Sequence, residues 1–198
     1  LWGYFAEISR IPRPSKKEGK IIQYLLDFAS KNNLKATMDE VGNVLIMKPA
    51  TLGMENRPTV VLQTHLDMVC EKNADKDFNF EIDPIELTVG EEWVSANGTT
   101  LGADDGIGIA AQLAILASSE IQHGAIECLF TVDEETGLTG ALALKPGFFT
   151  GEILINLDSE DEGEIFIGCA GGIDTVATFR YTKEQTPFGS VAFKVKVL

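Results

Sequence analysis

Positive charge is scarce in this sequence. Its 198 residues carry 16 Lys and Arg against 30 Asp and Glu, a net charge of -14 at pH 7, with no basic patch. That balance excludes a protein built to follow a phosphate backbone, so nucleic acid is not an expected partner. Long hydrophobic runs are also missing. No stretch approaches the roughly 18 uninterrupted apolar residues of a spanning helix, and no membrane partner is expected. Cysteine is limited to Cys70, Cys128 and Cys169, which lie far apart without a CxxC pair. Neither a thiolate zinc site nor a redox pair is therefore suggested. Cys128 and Cys169 sit in apolar runs and read as small buried hydrophobes, which fits a reducing cytoplasm. The first residues, Leu1 to Phe5, show no basic region followed by an apolar core, so no secretory signal is visible in them. A G-x-S-x-G elbow is missing, against serine hydrolysis, and Gly102, Gly106 and Gly108 do not make G-x-G-x-x-G.

What is present is an ordinary globular composition, 44% hydrophobic and 23% charged, enough to bury a sizeable core. Ser15 is expected to cap a helix that runs through Ile21, Ile22, Leu25, Leu26 and Phe28 at helical spacing. Residues 35–48 read as a hairpin turning near Gly42-Asn43, and 59–63 as a buried strand. Two weak strands follow at 85–89 and 93–95, with a turn at Asn97-Gly98. Residues 106–116 are apolar nearly all round and predict a helix buried against a sheet. Strands at 126–132 and 153–157 flank a short helix at 139–144. The alternation predicts an α/β fold, a largely parallel sheet flanked by helices.

In such sheets chemistry collects just past the carboxyl ends of the strands. Three expected strand ends carry unusual cargo: His65-Leu66-Asp67, Asp133-Glu134-Glu135 and Asp158-Ser159-Glu160-Asp161. Asp104-Asp105 opens the buried helix. Each piece has an ordinary reading. Asp104-Asp105 can complement the helix dipole, Glu134-Glu135 can be a solvated turn, and an acidic surface usually serves solubility. Residues 158–163 resemble a calcium loop, but Cys169 stands where its twelfth-position Glu belongs, so an EF-hand is rejected. Jointly, imidazole and carboxylates at one sheet edge would repel unless cations held them together. His with carboxylates suits zinc, with manganese or cobalt as substitutes. Two ions sharing a carboxylate would sit about 3.5–4 Å apart and acidify a water, and an unligated Glu could move its proton to a leaving amine. That chemistry hydrolyses amides.

The run Val60 to Val69 resembles the ligand segment of the co-catalytic di-zinc peptidases, the group of aminoacylase, carboxypeptidase G and the carnosinases. Within it, residues 100–108 and 163–172, with Ile11-Pro12-Arg13-Pro14-Ser15, resemble the bacterial aminoacyl-histidine dipeptidase (peptidase D) branch. The resemblance implies a metal-dependent dipeptidase acting on Xaa-His dipeptides, carnosine-like ones included. It implies that His65 and Asp158 hold one Zn2+, Asp104 bridges two, and Glu135 holds the second. Glu134 would be the general base on a zinc-activated bridging water, and Asp67 the partner that orients His65. The Asp104-Asp105 peptide would be cis, and Asp105 would take no ligand role.

The family's further His ligand near the C-terminus has no counterpart here. His123, at the amino end of the 126–132 strand, reads as a loop residue. Both chain ends read as interruptions, so the chain is expected to be the N-terminal portion of a longer protein. Residues 1–172 would belong to its catalytic domain. Residues 173–198 would open an inserted lid domain through which the full protein could form a homodimer. The competing readings are a non-catalytic metal-binding module and a di-zinc exopeptidase or deacylase of other specificity.

Overall fold

Apolar runs with a period of two become strands, and those with a period near 3.6 become helices. A computed structural model describes residues 1–159, 161, 163–169, 171–172 and 175–195. The chain divides into two units, 1–160 and 161–198. In chain order the first holds α1 (Trp2–Ile8), α2 (Gly19–Lys31), β1 (Lys35–Met38), β2 (Val44–Lys48) and β3 (Val60–His65). It continues with β4 (Leu87–Val89), β5 (Val94–Ala96), α3 (Ala103–Ala117), β6 (Ile126–Thr131), α4 (Thr139–Ala143) and β7 (Ile153–Asn156).

Five strands form one sheet in the order β1-β2-β6-β3-β7, and β4 pairs with β5 in a separate antiparallel ribbon. The expected α/β fold with flanking helices is present, but the sheet is mixed rather than largely parallel. β3 runs parallel to both β6 and β7, whereas β2 pairs antiparallel with β1 and β6. A short turn after Met38 folds β2 back antiparallel on β1, and the antiparallel docking of β2 on β6 is a long-range pairing.

Both faces of the central strands are covered. Val44, Ile46, Leu62, Cys128 and Phe130 face α1, α2 and α3 through Ile8, Leu25, Ile109 and Leu113. Leu45, Val61 and Leu129, one residue out of phase, pack with Leu144, Phe148 and Phe149. This is why β6 reads as a continuous apolar run. In α2 the buried residues Ile21, Leu25, Phe28 and Ala29 keep helical spacing, but the helix starts at Gly19, four residues beyond Ser15. Ser15 is therefore no helix cap, and its hydroxyl donates to Asp67 instead. Helix α1 was not expected, since only Phe5 and Ile8 of its seven residues are buried.

Helix α3 begins irregularly. Asp104 and Asp105 have non-helical backbone angles and a cis peptide between them, so regular winding starts at Gly106. The described residues of 161–195 form no helix or strand. Residues 173, 174 and 196–198 of the expected lid segment lie outside the described residues, as does Glu160. Cys169, expected to be buried, is exposed, since its apolar run joins no sheet among the described residues. Cys128, inside β6, is buried.

Candidate metal centre

Parallel pairing brings three carboxyl ends to one sheet edge. The register sets His65 beside Thr131 and Gln63 beside Asn156, so the loops after β3, β6 and β7 start level. Asp104, at the irregular start of α3, reaches the same place. The His65 side chain is 1% exposed, and its Nε2 lies 2.8 Å from Asp104 Oδ1 and 3.8 Å from Asp158 Oδ2. Ligand atoms of His65, Asp104 and Asp158 fall within 4.8 Å of one another, as do those of His65, Glu134 and Glu135. All five residues predicted to bind metal or move protons therefore meet at one imidazole.

The sixth, Asp67, lies behind it. Its Oδ1 is 3.3 Å from His65 Nδ1, and its side chain is fully buried. The same carboxylate accepts the backbone N–H of Glu134 at 2.9 Å, that of Glu135 at 3.2 Å and the Ser15 hydroxyl at 2.7 Å. One side chain thus lies behind the histidine and ties the β3 loop to the β6 loop. Burial pushes the Asp67 carboxyl up, but His65, Ser15 and the Glu134 N–H outweigh it and hold it at about 2. Burial would likewise lower the His65 imidazole, and the Asp67 and Asp104 carboxylates hold it up at about 9.

The other carboxylates are under strain of charge. Burial, then Asp104, raises Glu135 and Asp158 above the usual carboxylate range. Asp105, buried beside the cluster, is raised to about 7 by burial and by Asp158. Among the described residues no Lys or Arg makes an ion pair with Asp104, Glu134, Glu135 or Asp158. Four carboxylates thus surround one imidazole. A borderline divalent cation would supply the missing positive charge, and one N donor with several O donors suits zinc. The residues fit such an ion. Asp104, with its side chain 49% exposed, leaves the cluster open to solvent.

Sequence reasoning missed the supports of the β6 loop. Glu18 Oε1 accepts the N–H of Asp133 at 2.9 Å. Asn43, fully buried, accepts the N–H of Val132 at 3.1 Å and donates to the Gly140 carbonyl at 2.8 Å. Asp133 takes the hydroxyls of Thr136 and Thr139 on its carboxylate. The Asp-x-x-Thr-x-x-Thr spacing is the one local signal that could have found this turn. His123 behaves as expected of a loop residue: Nδ1 bonds the Gly124 carbonyl at 2.7 Å, and its backbone pairs with Thr51.

No protein-family model matches the sequence. Individual relatives do. The chain is 49% identical over 195 residues to the cytosol non-specific dipeptidase of Escherichia coli, covering 98% of this chain and 40% of that protein. It is 54% identical, with a TM-score of 0.80, to the crystal structure of aminoacylhistidine dipeptidase from Vibrio alginolyticus, covering 82% of this chain and 33% of that one. A tripeptidase from Staphylococcus aureus matches at 25% identity and a TM-score of 0.68, over 81% of this chain and 43% of that one. The chain therefore spans about two fifths of the Escherichia coli relative. Over that span the chain is similar in both sequence and fold to these dipeptidases.

Proposed function

We propose that this chain carries the metal-binding part of a dipeptidase centre that hydrolyses the peptide bond of short peptides, Xaa-His dipeptides in particular. The observation that carries the proposal is the uncompensated carboxylate cluster around His65, backed by Asp67. His65, Asp104 and Asp158 would hold one zinc ion, and Asp104 with Glu135 a second, with manganese or cobalt as substitutes. When bound, such ions polarise the scissile carbonyl and make water acidic enough to react near neutral pH. Glu134, held on the same loop but left out of the ligand set, takes the proton from the attacking water. It returns that proton to the departing amine nitrogen as the C–N bond breaks. Asp67, 3.3 Å from His65 Nδ1, would hold the ring so that Nε2 could serve as a ligand.

The Xaa-His preference is supported by the 54% identity to a protein named aminoacylhistidine dipeptidase. A cytoplasmic setting is supported by the name of the Escherichia coli relative. No helix of the described residues is long and apolar enough to cross a membrane. Residues 173–198 would open the inserted lid domain, through which the full-length protein would dimerise.

The test is Glu134→Ala in the full-length protein, assayed on a carnosine-like dipeptide with metal content measured in parallel. Turnover is expected to fall on the order of 10²–10⁴-fold while bound zinc is unchanged. Parallel loss of zinc and turnover would make Glu134 a ligand, and undiminished turnover would remove it from the mechanism.

A further inference from the structure

We propose that Arg13 is a positioning residue for the metal centre, its guanidinium locking the Leu66-Asp67 turn to the Gly102 turn and so setting His65 against Asp104. The inference rests on the metal reading above. Arg13 is 2% exposed and makes three bonds to backbone carbonyls from two separate loops. Its Nη1 donates to Leu66 O at 2.9 Å and to Asp67 O at 2.8 Å, while Nη2 donates to Gly102 O. One loop follows His65 directly, and the other precedes Asp104 by two residues. The planar fork of donors is what lets one side chain span both, which a lysine ammonium cannot do.

The slot for the guanidinium depends on glycine at two places. A Cβ on Gly102 would lie 2.7 Å from Arg13 Nη2 and 2.8 Å from Met68 Sδ. A Cβ on Gly106 would lie 2.8 Å from Nη2 and 3.3 Å from the Phe5 ring. The glycines on either side of Ala103-Asp104-Asp105 thus admit the arginine, which explains their spacing without any role in phosphate binding. Neighbouring contacts run the same way. Pro14 bridges to Met68 in parallel, and Ser15 donates to the Asp67 carboxylate, so residues 13–15 lie along 66–68. Burial lowers the guanidinium to about 10, with the Asp105 and Asp67 carboxylates opposing, so it stays charged at neutral pH.

The experiment uses the full-length protein stripped of metal, with zinc affinity measured by competition against a chromophoric chelator. The visible spectrum of the cobalt form is recorded alongside. Arg13→Lys and Arg13→Ala are each expected to weaken zinc binding by about tenfold or more. They should also shift the cobalt bands, and millimolar guanidinium should restore the affinity of Arg13→Ala. Gly106→Ala, which crowds the guanidinium without removing it, should cause a similar loss. That loss should shrink in the Arg13→Ala/Gly106→Ala double variant, where the space is free. If Arg13→Ala does not fold, Arg13→Lys and Gly106→Ala decide the matter on the same two readouts. Wild-type affinity and spectrum in the folded variants, or strictly additive losses, would overturn this inference alone. A wild-type protein that takes no zinc would overturn it together with the metal reading.

Discussion

Asp67 does more than any other single residue at the candidate centre. Three N–H or O–H donors and the His65 imidazole converge on one buried carboxylate. Asparagine in its place would turn an NH2 toward backbone N–H groups that need an acceptor, leaving a buried donor unpaired. Asp67→Asn is therefore expected to weaken zinc binding by about 10–100-fold, measured by chelator competition. The pH dependence has a definite sign. The folded-state carboxyl sits at about 2, below its ordinary 3.8, so it stabilises the fold above 3.8 and loses that contribution as pH falls toward 2. Metal-free wild type should lose thermal stability across that acid window, and Asp67→Asn should show a flatter profile. Identical profiles would show that the carboxylate is not engaged as described.

At the scale of elements, the loop from β6 into α4 depends on anchors distant in sequence. Asn43 holds Val132 and Gly140 on either side of the Asp133-Glu134-Glu135 turn. Asn43→Ala would strand a buried N–H and a buried carbonyl, at about 1–3 kcal/mol for each group. Urea denaturation should show a destabilisation of about 2–6 kcal/mol for the two groups together, and a loss under about 0.5 kcal/mol would place those bonds in water.

The elements themselves were largely legible. The runs at 59–63, 126–132 and 153–157 became β3, β6 and β7, and 106–116 is the regular part of α3, because burial on both sides leaves continuous apolar stretches. Pairing direction was not legible. Whether β2 docks on β6 antiparallel depends on pairings such as Val44 with Phe130 and Lys48 with Ile126, far apart in sequence, which no local period records. Ser15 shows the same limit. A serine before an apolar helical run has the form of a cap, and only the folded chain brings it to Asp67. The candidate ligands were legible because parallel strands deliver their carboxyl ends to one edge whatever the register in detail. Arg13, Glu18 and Asn43 were not, since their partners are mostly backbone groups of other loops.

For the whole molecule, the carboxylates gathered at the cluster, rather than the overall balance of -14, point toward a cation as the missing component. The exposed β7 is a second feature of that scale. Ile153, Leu154 and Ile155 are 45%, 50% and 45% exposed on a strand that pairs only with β3 among the described residues. An apolar edge of this kind is prone to recruit other chains. These 198 residues produced alone should self-associate in sedimentation runs, and Ile153→Lys with Ile155→Lys should reduce it. Monomers at every concentration would contradict that expectation.

The metal claim is tested most directly by titrating zinc into the metal-free full-length protein, wild type beside His65→Ala, at about pH 6 and about pH 8. The His65 imidazole, held up at about 9, must give up its proton for an ion to bind, so affinity should rise with pH. The account predicts tight binding by wild type, tighter at the higher pH, and a marked loss of affinity in His65→Ala. Equal affinities for the two proteins, or binding that does not strengthen as pH rises, would contradict it.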